Sequence, residues 1–169
     1  MILRRFAVAV PVAFAVLVAG CGFHLRKEAE LPSSMKKVHI QIGDASSALA
    51  KDLAKALPRS GTEVVADVAP DVAIMNISAN AFTTDVLSVS GNARASEYSL
   101  RYHVEFEVTD AAGTAVLPKQ TIELARDFTF DATQALGLSA ETDLLTKELE
   151  RDMVQTILRR LEALANAGN

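Results

Sequence analysis

The chain has 169 residues, with 17 basic and 21 acidic side chains, so its formal net charge at pH 7 is −4. This acidic balance argues against generic nucleic-acid binding, which requires an excess of positive charge. Half of the residues are apolar but only 5% are aromatic and Trp is absent, a composition that favours an aliphatic core over an aromatic sugar-stacking cleft.

The N-terminus has the pattern of a bacterial lipoprotein signal. Arg4 and Arg5 precede an uncharged apolar run over 6–20, which ends in Leu-Val-Ala-Gly-Cys at 17–21. Small residues before Cys21 are typical of an export cleavage site. We predict that residues 1–20 are removed and that Cys21 carries the lipid. Two or more acyl chains anchor firmly, because burial contributes about 0.8 kcal/mol per CH2.

The alternative for this segment is an uncleaved transmembrane helix. The apolar run contains Pro11 and is shorter than the roughly 20 residues that a spanning helix needs, which favours a cleaved signal. Gly22 follows the cysteine where an Asp would favour inner-membrane retention, so we predict the periplasmic side of the outer membrane. Without residues 1–20 the chain has 15 basic and 21 acidic residues. With Cys21 lipidated, no thiol remains for a disulfide, a nucleophile or a metal site.

The rest of the chain is predicted to be a lipidated tether over 21–36 and a single domain over 37–169. Residues 37–42 alternate with a period of two, as a half-buried strand does. Residues 48–57 repeat Leu every four positions and precede Pro58, which predicts a short amphipathic helix. Residues 62–68 are predicted to be a brief extended segment only.

The second half of the domain predicts three longer strands and a long helix. We expect a strand over 72–89, a Ser-, Asn- and Gly-containing loop over 88–96, and a clearly alternating strand over 95–109. Asp-Ala-Ala-Gly at 110–113 predicts a hairpin turn. Lys119 opens the returning strand, and Arg126 interrupts its apolar face.

From Ser139 to Ala165 the apolar residues recur at helical spacing, over about 40 Å. The predicted fold class is therefore α+β. We expect a four-stranded, mostly antiparallel sheet with two helices packed on one face. Its other face is expected to be polar.

The sequence contains no strong catalytic motif. The three histidines, His24, His39 and His103, lack metal-ligand spacing, so we predict no metal and no cofactor. Glu105 and Glu107 point to the same side of a strand, which leaves a hydrolase hypothesis. The two carboxylates are better explained as part of a solvated strand face. We therefore predict that the protein is not an enzyme.

Three cations lie near the predicted loops: Arg94, Arg101 and Lys119. Fixed cations of this kind suit phosphate groups on a lipid headgroup. The alternative is that three of 15 basic residues fall near loops by chance.

The start of the mature chain resembles a known family. Cys-Gly-Phe-His-Leu-Arg at 21–26, Leu-Pro at 31–32, Ala-Ser-Glu-Tyr at 95–98 and the final amphipathic helix are similar to the lipopolysaccharide-assembly lipoprotein (LptE) family. The resemblance implies four strands with two helices packed on them. It also implies a non-enzymatic role as a plug inside the outer-membrane barrel LptD.

Within that family the barrel and plug together insert lipopolysaccharide into the outer leaflet. The resemblance therefore makes the LptD β-barrel, lipopolysaccharide and the outer membrane the expected partners, with Arg94, Arg101 and Lys119 as candidate lipopolysaccharide contacts. The alternative left open is a free outer-membrane lipoprotein that binds a small ligand or peptidoglycan on its own.

Overall fold

The structure, a computed structural model, describes residues 31–89, 95–129 and 135–167. These residues form five strands and two α-helices. The strands are β1 (Lys37–Ile42), β2 (Glu63–Val64), β3 (Ala73–Val89), β4 (Ala95–Thr109) and β5 (Ala115–Thr129). The helices are α1 (Ala48–Ala56) and α2 (Ala135–Ala167), with short 3-10 turns at Ser33–Met35 and Leu57–Ser60.

The sheet corrects the predicted fold in strand number and in direction. It has five strands in the order β2-β1-β3-β4-β5, and β1 pairs in parallel with both β2 and β3. Only the β3, β4 and β5 ladder is antiparallel. The prediction of four mostly antiparallel strands was wrong because β2 has only two residues, too few to show an alternating pattern. A parallel pair also needs a crossover, and the chain between β1 and β2 supplies one through α1.

Helix α1 forms where the sequence predicts it. Ser47 caps its N-terminus, with the Ala50 backbone N–H donating to Ser47 Oγ over 3.3 Å. After Ala56 the chain tightens into the 3-10 turn that contains Pro58. That turn ends at Gly61, whose φ of +80° lies in the left-handed region that favours glycine.

The strands predicted over 72–89 and 95–109 are confirmed as β3 and β4. Val89 of β3 pairs with Ala95 of β4, so both ends of the loop predicted over 88–96 are strand. The predicted loop's Gly91 lies outside the described residues. The turn over 110–113 is confirmed: Asp110 Oδ1 accepts hydrogen bonds from the backbone N–H groups of Ala112 and Thr114 at 2.9 and 2.8 Å.

Both helices pack on one face of the sheet, as predicted. The middle of the α2 apolar stripe is fully buried, and α1 adds leucines to the same core. The core residues contributed by the two helices include Leu49, Leu53, Leu149, Met153, Ile157 and Leu161. Tyr102 and Phe106 of β4 are the largest side chains buried beneath them. Met35 is also fully buried, so the chain joins the core before β1 begins.

Helix α2 begins earlier than the predicted Ser139 and spans 33 residues, or about 50 Å at 1.5 Å per residue. Over the described ranges, neither helix combines the length and the apolar character that crossing a membrane requires.

Candidate functional site

The face of the sheet opposite the helices carries a dense set of ionic side chains. Strand alternation places them together, because residues i and i+2 of a strand point to the same side. We call this surface the charged sheet face. Its members are Asp85, Ser99, Arg101, His103, Glu105, Lys119, Glu123 and Asp127. Among these eight residues, four carboxylates accompany two permanent cations.

Arg101 of β4 joins all three long strands. Its Nε lies 2.8 Å from Asp85 Oδ2 on β3, and its Nη1 donates to Glu123 Oε1 on β5 over 2.9 Å. The Nε atom is shielded from solvent, and its N–H is not aligned for a hydrogen bond to Asp85. The Asp85 contact is therefore an ion pair only. The guanidinium faces a carboxylate on each side.

Lys119 makes the second ionic link between β4 and β5. Its Nζ lies 2.5 Å from Glu105 Oε2, and Ser78 Oγ donates to the same oxygen over 3.4 Å. The hydrogen bond from Lys119 lowers the pKa of the Glu105 carboxyl below its ordinary value, and the same contact raises the pKa of Lys119. Both side chains are therefore held in their charged forms.

The remaining polar groups of the charged sheet face lie between or beside these ion pairs. His103 lies between two carboxylates, with Nε2 3.6 Å from Glu105 Oε1 and Nδ1 4.0 Å from Glu123 Oε2. At one end of the face Ser99 Oγ donates to Asp127 Oδ1 over 2.7 Å. The contacts thus run from Arg101 through Glu123, His103 and Glu105 to Lys119, so both permanent cations of the charged sheet face are paired, and its carboxylates outnumber them.

The structure brings together two of the three predicted lipid-contacting cations. Arg101 and Lys119 lie on the same face, and each already has a carboxylate partner. Arg94 lies outside the described residues, as does the predicted lipidation site Cys21. Direct lipopolysaccharide contact by these cations stays a prediction.

The carboxylate pair behind the hydrolase hypothesis has no geometry of an acid and a base. A general acid needs a raised pKa, whereas Lys119 lowers that of Glu105. Glu107 accepts a hydrogen bond from Asn76 Nδ2 over 3.2 Å instead. Over 31–89, 95–129 and 135–167, no cluster of three or more His, Cys, Asp or Glu residues is placed to hold a metal ion.

The sequence marks Arg126 as an interruption of an apolar strand face but does not show its partner. On the helix-facing side of β5, its Nη2 lies 2.5 Å from Asp152 Oδ2 of α2. Nearby, Arg160 Nη1 of α2 donates to Gln120 Oε1 of β5 over 2.8 Å. Two polar contacts therefore tie the long helix to the last strand. The interruption of an apolar face was the visible signal, but the partner on α2 was not.

A mixed sheet with two helices on one face, and with paired cations and carboxylates on the other, defines a small α+β domain. The model of the LptE family, described as lipopolysaccharide-assembly, matches residues 35–161. The chain therefore belongs to the LptE family, as the resemblance over 21–26 predicted. The family is one of lipopolysaccharide-assembly lipoproteins and not an enzyme family.

Individual relatives agree with this assignment. The chain is 28% identical over 154 residues to the LPS-assembly lipoprotein LptE of Photorhabdus laumondii, covering 90% of this chain and 84% of the relative. The solution structure of an uncharacterized lipoprotein B from Nitrosomonas europaea is 32% identical, with a TM-score of 0.73, over 87% of this chain and 94% of that one. The rare lipoprotein B of Shewanella oneidensis is 25% identical, with a TM-score of 0.68, over 79% and 99% respectively.

Proposed function

We propose that this chain is an outer-membrane lipoprotein that plugs the LptD β-barrel, helps to assemble it, and aids insertion of lipopolysaccharide into the outer leaflet. The observation that carries the proposal is the family match over residues 35–161. In this proposal residues 1–20 are removed, acyl chains on Cys21 anchor the protein on the periplasmic side, and 21–36 lead from the anchor to β1, with Met35 already in the core. The domain acts by binding and does not catalyse a reaction.

The charged sheet face supports a location inside a barrel. A lumen wide enough for a folded domain belongs to a large barrel, and such lumens are polar. Arg101 and Lys119 keep their charges paired with neighbouring carboxylates. This surface can therefore meet a polar wall without leaving an isolated charge out of water.

The proposal extends to lipopolysaccharide, with Arg94, Arg101 and Lys119 as the residues that contact it. For Arg101 and Lys119, a lipid phosphate would replace a carboxylate partner: Asp85 or Glu123 for the first, Glu105 for the second. Such an exchange keeps each cation paired throughout, and an arginine fork suits phosphate geometry.

The test is recovery of the C-terminally tagged, lipidated protein from its native membranes in mild detergent, with the co-purifying proteins identified by mass spectrometry. We expect a large β-barrel subunit in a one-to-one ratio. Recovery of the chain alone would overturn the plug and indicate a lipoprotein with its own ligand, which binding to isolated peptidoglycan would then check.

Two variants separate the anchor from the plug and from lipid contact. Cys21→Ser should abolish acylation of the N-terminal peptide, measured by its mass, while leaving the domain folded. Arg101→Gln with Lys119→Gln should reduce crosslinking to lipopolysaccharide, measured per barrel complex recovered. Unchanged crosslinking in that double variant would remove both residues from the lipid proposal without touching the plug.

A further inference from the structure

A second ionic surface lies on the helix layer, remote from the charged sheet face. Helix α1, its following 3-10 turn and the middle of α2 enclose an open groove of about 240 Å³. Its lining residues are Asp52, Lys55, Ala56, Arg59, Arg151, Val154 and Gln155. Val154 is 5% exposed, so it gives the groove an apolar floor beneath polar walls.

The walls of this groove are positive. Three of its lining side chains are cations, and Asp52 is the acidic one among them. Lys55 Nζ already donates to Asp52 Oδ1 over 3.0 Å. Within the described part of the chain, Arg59 and Arg151 form no ion pair. Two unpaired guanidinium groups thus line one groove of a protein whose net charge is −4.

The three walls come from separate elements, and only the tertiary fold joins them. Lys55 and Arg59 are four residues apart, at the end of α1 and in the turn that follows it. Arg151 and Gln155 are four residues apart on α2, hence on one side of that helix. Val154 of α2 belongs to the same buried core as Leu49 and Leu53 of α1.

We propose that this groove binds a phosphate group, with Arg59 and Arg151 as its principal ligands and Lys55 and Gln155 as further donors. Arginine presents paired N–H groups that match two phosphate oxygens, and charge-assisted hydrogen bonds of this kind are stronger than neutral ones. The inference is independent of the barrel plug, because it uses neither the charged sheet face nor Cys21.

The phosphate can come from two sources, a free anion or a lipid headgroup, and the experiment distinguishes them. The full-length chain in nonionic micelles is titrated first with inorganic phosphate and then with phosphatidate, with phosphatidylcholine as the uncharged-headgroup comparison. The readout is the NMR shift of the Lys55 and Gln155 backbone N–H signals, because both residues line the groove and every variant retains them. Saturation by both ligands supports a site for phosphate itself; saturation by phosphatidate alone supports a lipid-headgroup site.

Matched variants test whether the groove is responsible. Arg59→Gln with Arg151→Gln should weaken the apparent affinity at least about tenfold, because two charge-assisted contacts are lost. The control is Lys51→Gln with Arg159→Gln, which removes the same charge from exposed positions on the same two helices, outside the groove. It should change the affinity less than about twofold.

Three results would overturn the proposal: no saturable shift with either ligand, shifts that phosphatidylcholine reproduces, or equal weakening in the control. Circular dichroism establishes that each double variant is folded. If the groove variant is unfolded, the single variant Arg151→Gln replaces it, with the same Lys55 and Gln155 readout.

Discussion

Arg126 of β5 and Asp152 of α2 connect the two layers of the domain through an ion pair, with 2.5 Å between Nη2 and Oδ2. Arg126 stands opposite Leu100 of β4, on the side of the sheet that the helices cover. The side chains are 40% and 50% exposed, so the pair lies at the rim of the layer and keeps access to water. Because it keeps both a carboxylate partner and access to water, the Arg126 guanidinium can lie on an otherwise apolar strand face.

Replacing Arg126 by Met should lower the free energy of unfolding by up to about 1 kcal/mol, the upper range for half-exposed ion pairs. Urea unfolding of Arg126→Met, Asp152→Asn and the double variant measures the coupling between the two side chains. The double variant should cost less than the sum of the single ones. Strict additivity would mean that the contact adds nothing to stability.

Tyr102→Phe should destabilise the protein by about 1 kcal/mol at pH 7. Tyr102 is 1% exposed, stacks on Phe82 with ring centroids 4.0 Å apart, and donates its hydroxyl hydrogen to Asn80 Oδ1 over 2.7 Å. The substitution keeps the ring and removes that single donor. Phe82→Leu is the complementary variant, since it disturbs the stacking and keeps the hydrogen bond.

The same substitution predicts a pH effect. Burial, followed by the negative charge of Glu150, raises the pKa of the Tyr102 phenol above its ordinary value of 10.0. Above pH 10 the unfolded chain releases this proton while the folded chain retains it, so stability falls as pH rises. The stability difference between the natural protein and Tyr102→Phe should therefore shrink from pH 9 to 11. A constant difference would contradict the burial argument.

Lys119→Met should raise the pKa of Glu105 toward its ordinary value of 4.5. The hydrogen bond from Lys119 lowers that pKa, so the contact stabilises the fold above pH 4.5 and is lost as pH falls through the lowered folded value. Carboxyl 13C NMR titration measures the change directly. Lys55→Met, on the opposite layer, should leave the pKa of Glu105 unchanged. A shift of the Glu105 pKa in that variant would show a general charge effect instead.

Gly61→Ala should destabilise the protein by about 1 kcal/mol, because Gly61 has a φ of +80° and an L side chain disfavours that conformation. No atom lies within 4 Å of the added Cβ, so the cost is one of backbone conformation. Gly43→Ala is the matched control, since Gly43 has equally open space and no positive φ. Thermal unfolding that shifts equally in both variants would contradict this explanation.

Local patterns predicted most elements of the fold. The alternation over 95–109 and the apolar stripe of Leu149, Met153, Ile157 and Leu161 depend only on the periods of strand and helix, and both are confirmed. The turn over 110–113 likewise carries its chemistry in adjacent residues. The missed strand β2 is stabilised by pairing with β1, a partner about 26 positions away in the register Lys37 to Glu63.

In the candidate sites too, some features follow from the local sequence and others only from the tertiary structure. By itself the sequence determined the family, the fold class, the helix and strand periods, and the charged nature of one sheet face. Only the tertiary structure decided that Arg101 and Lys119 have carboxylate partners, that Arg126 meets Asp152, and that Arg59 and Arg151 share a groove. Periodicity is a property of neighbouring residues, whereas an ion pair between strands or helices depends on register and packing across the whole chain.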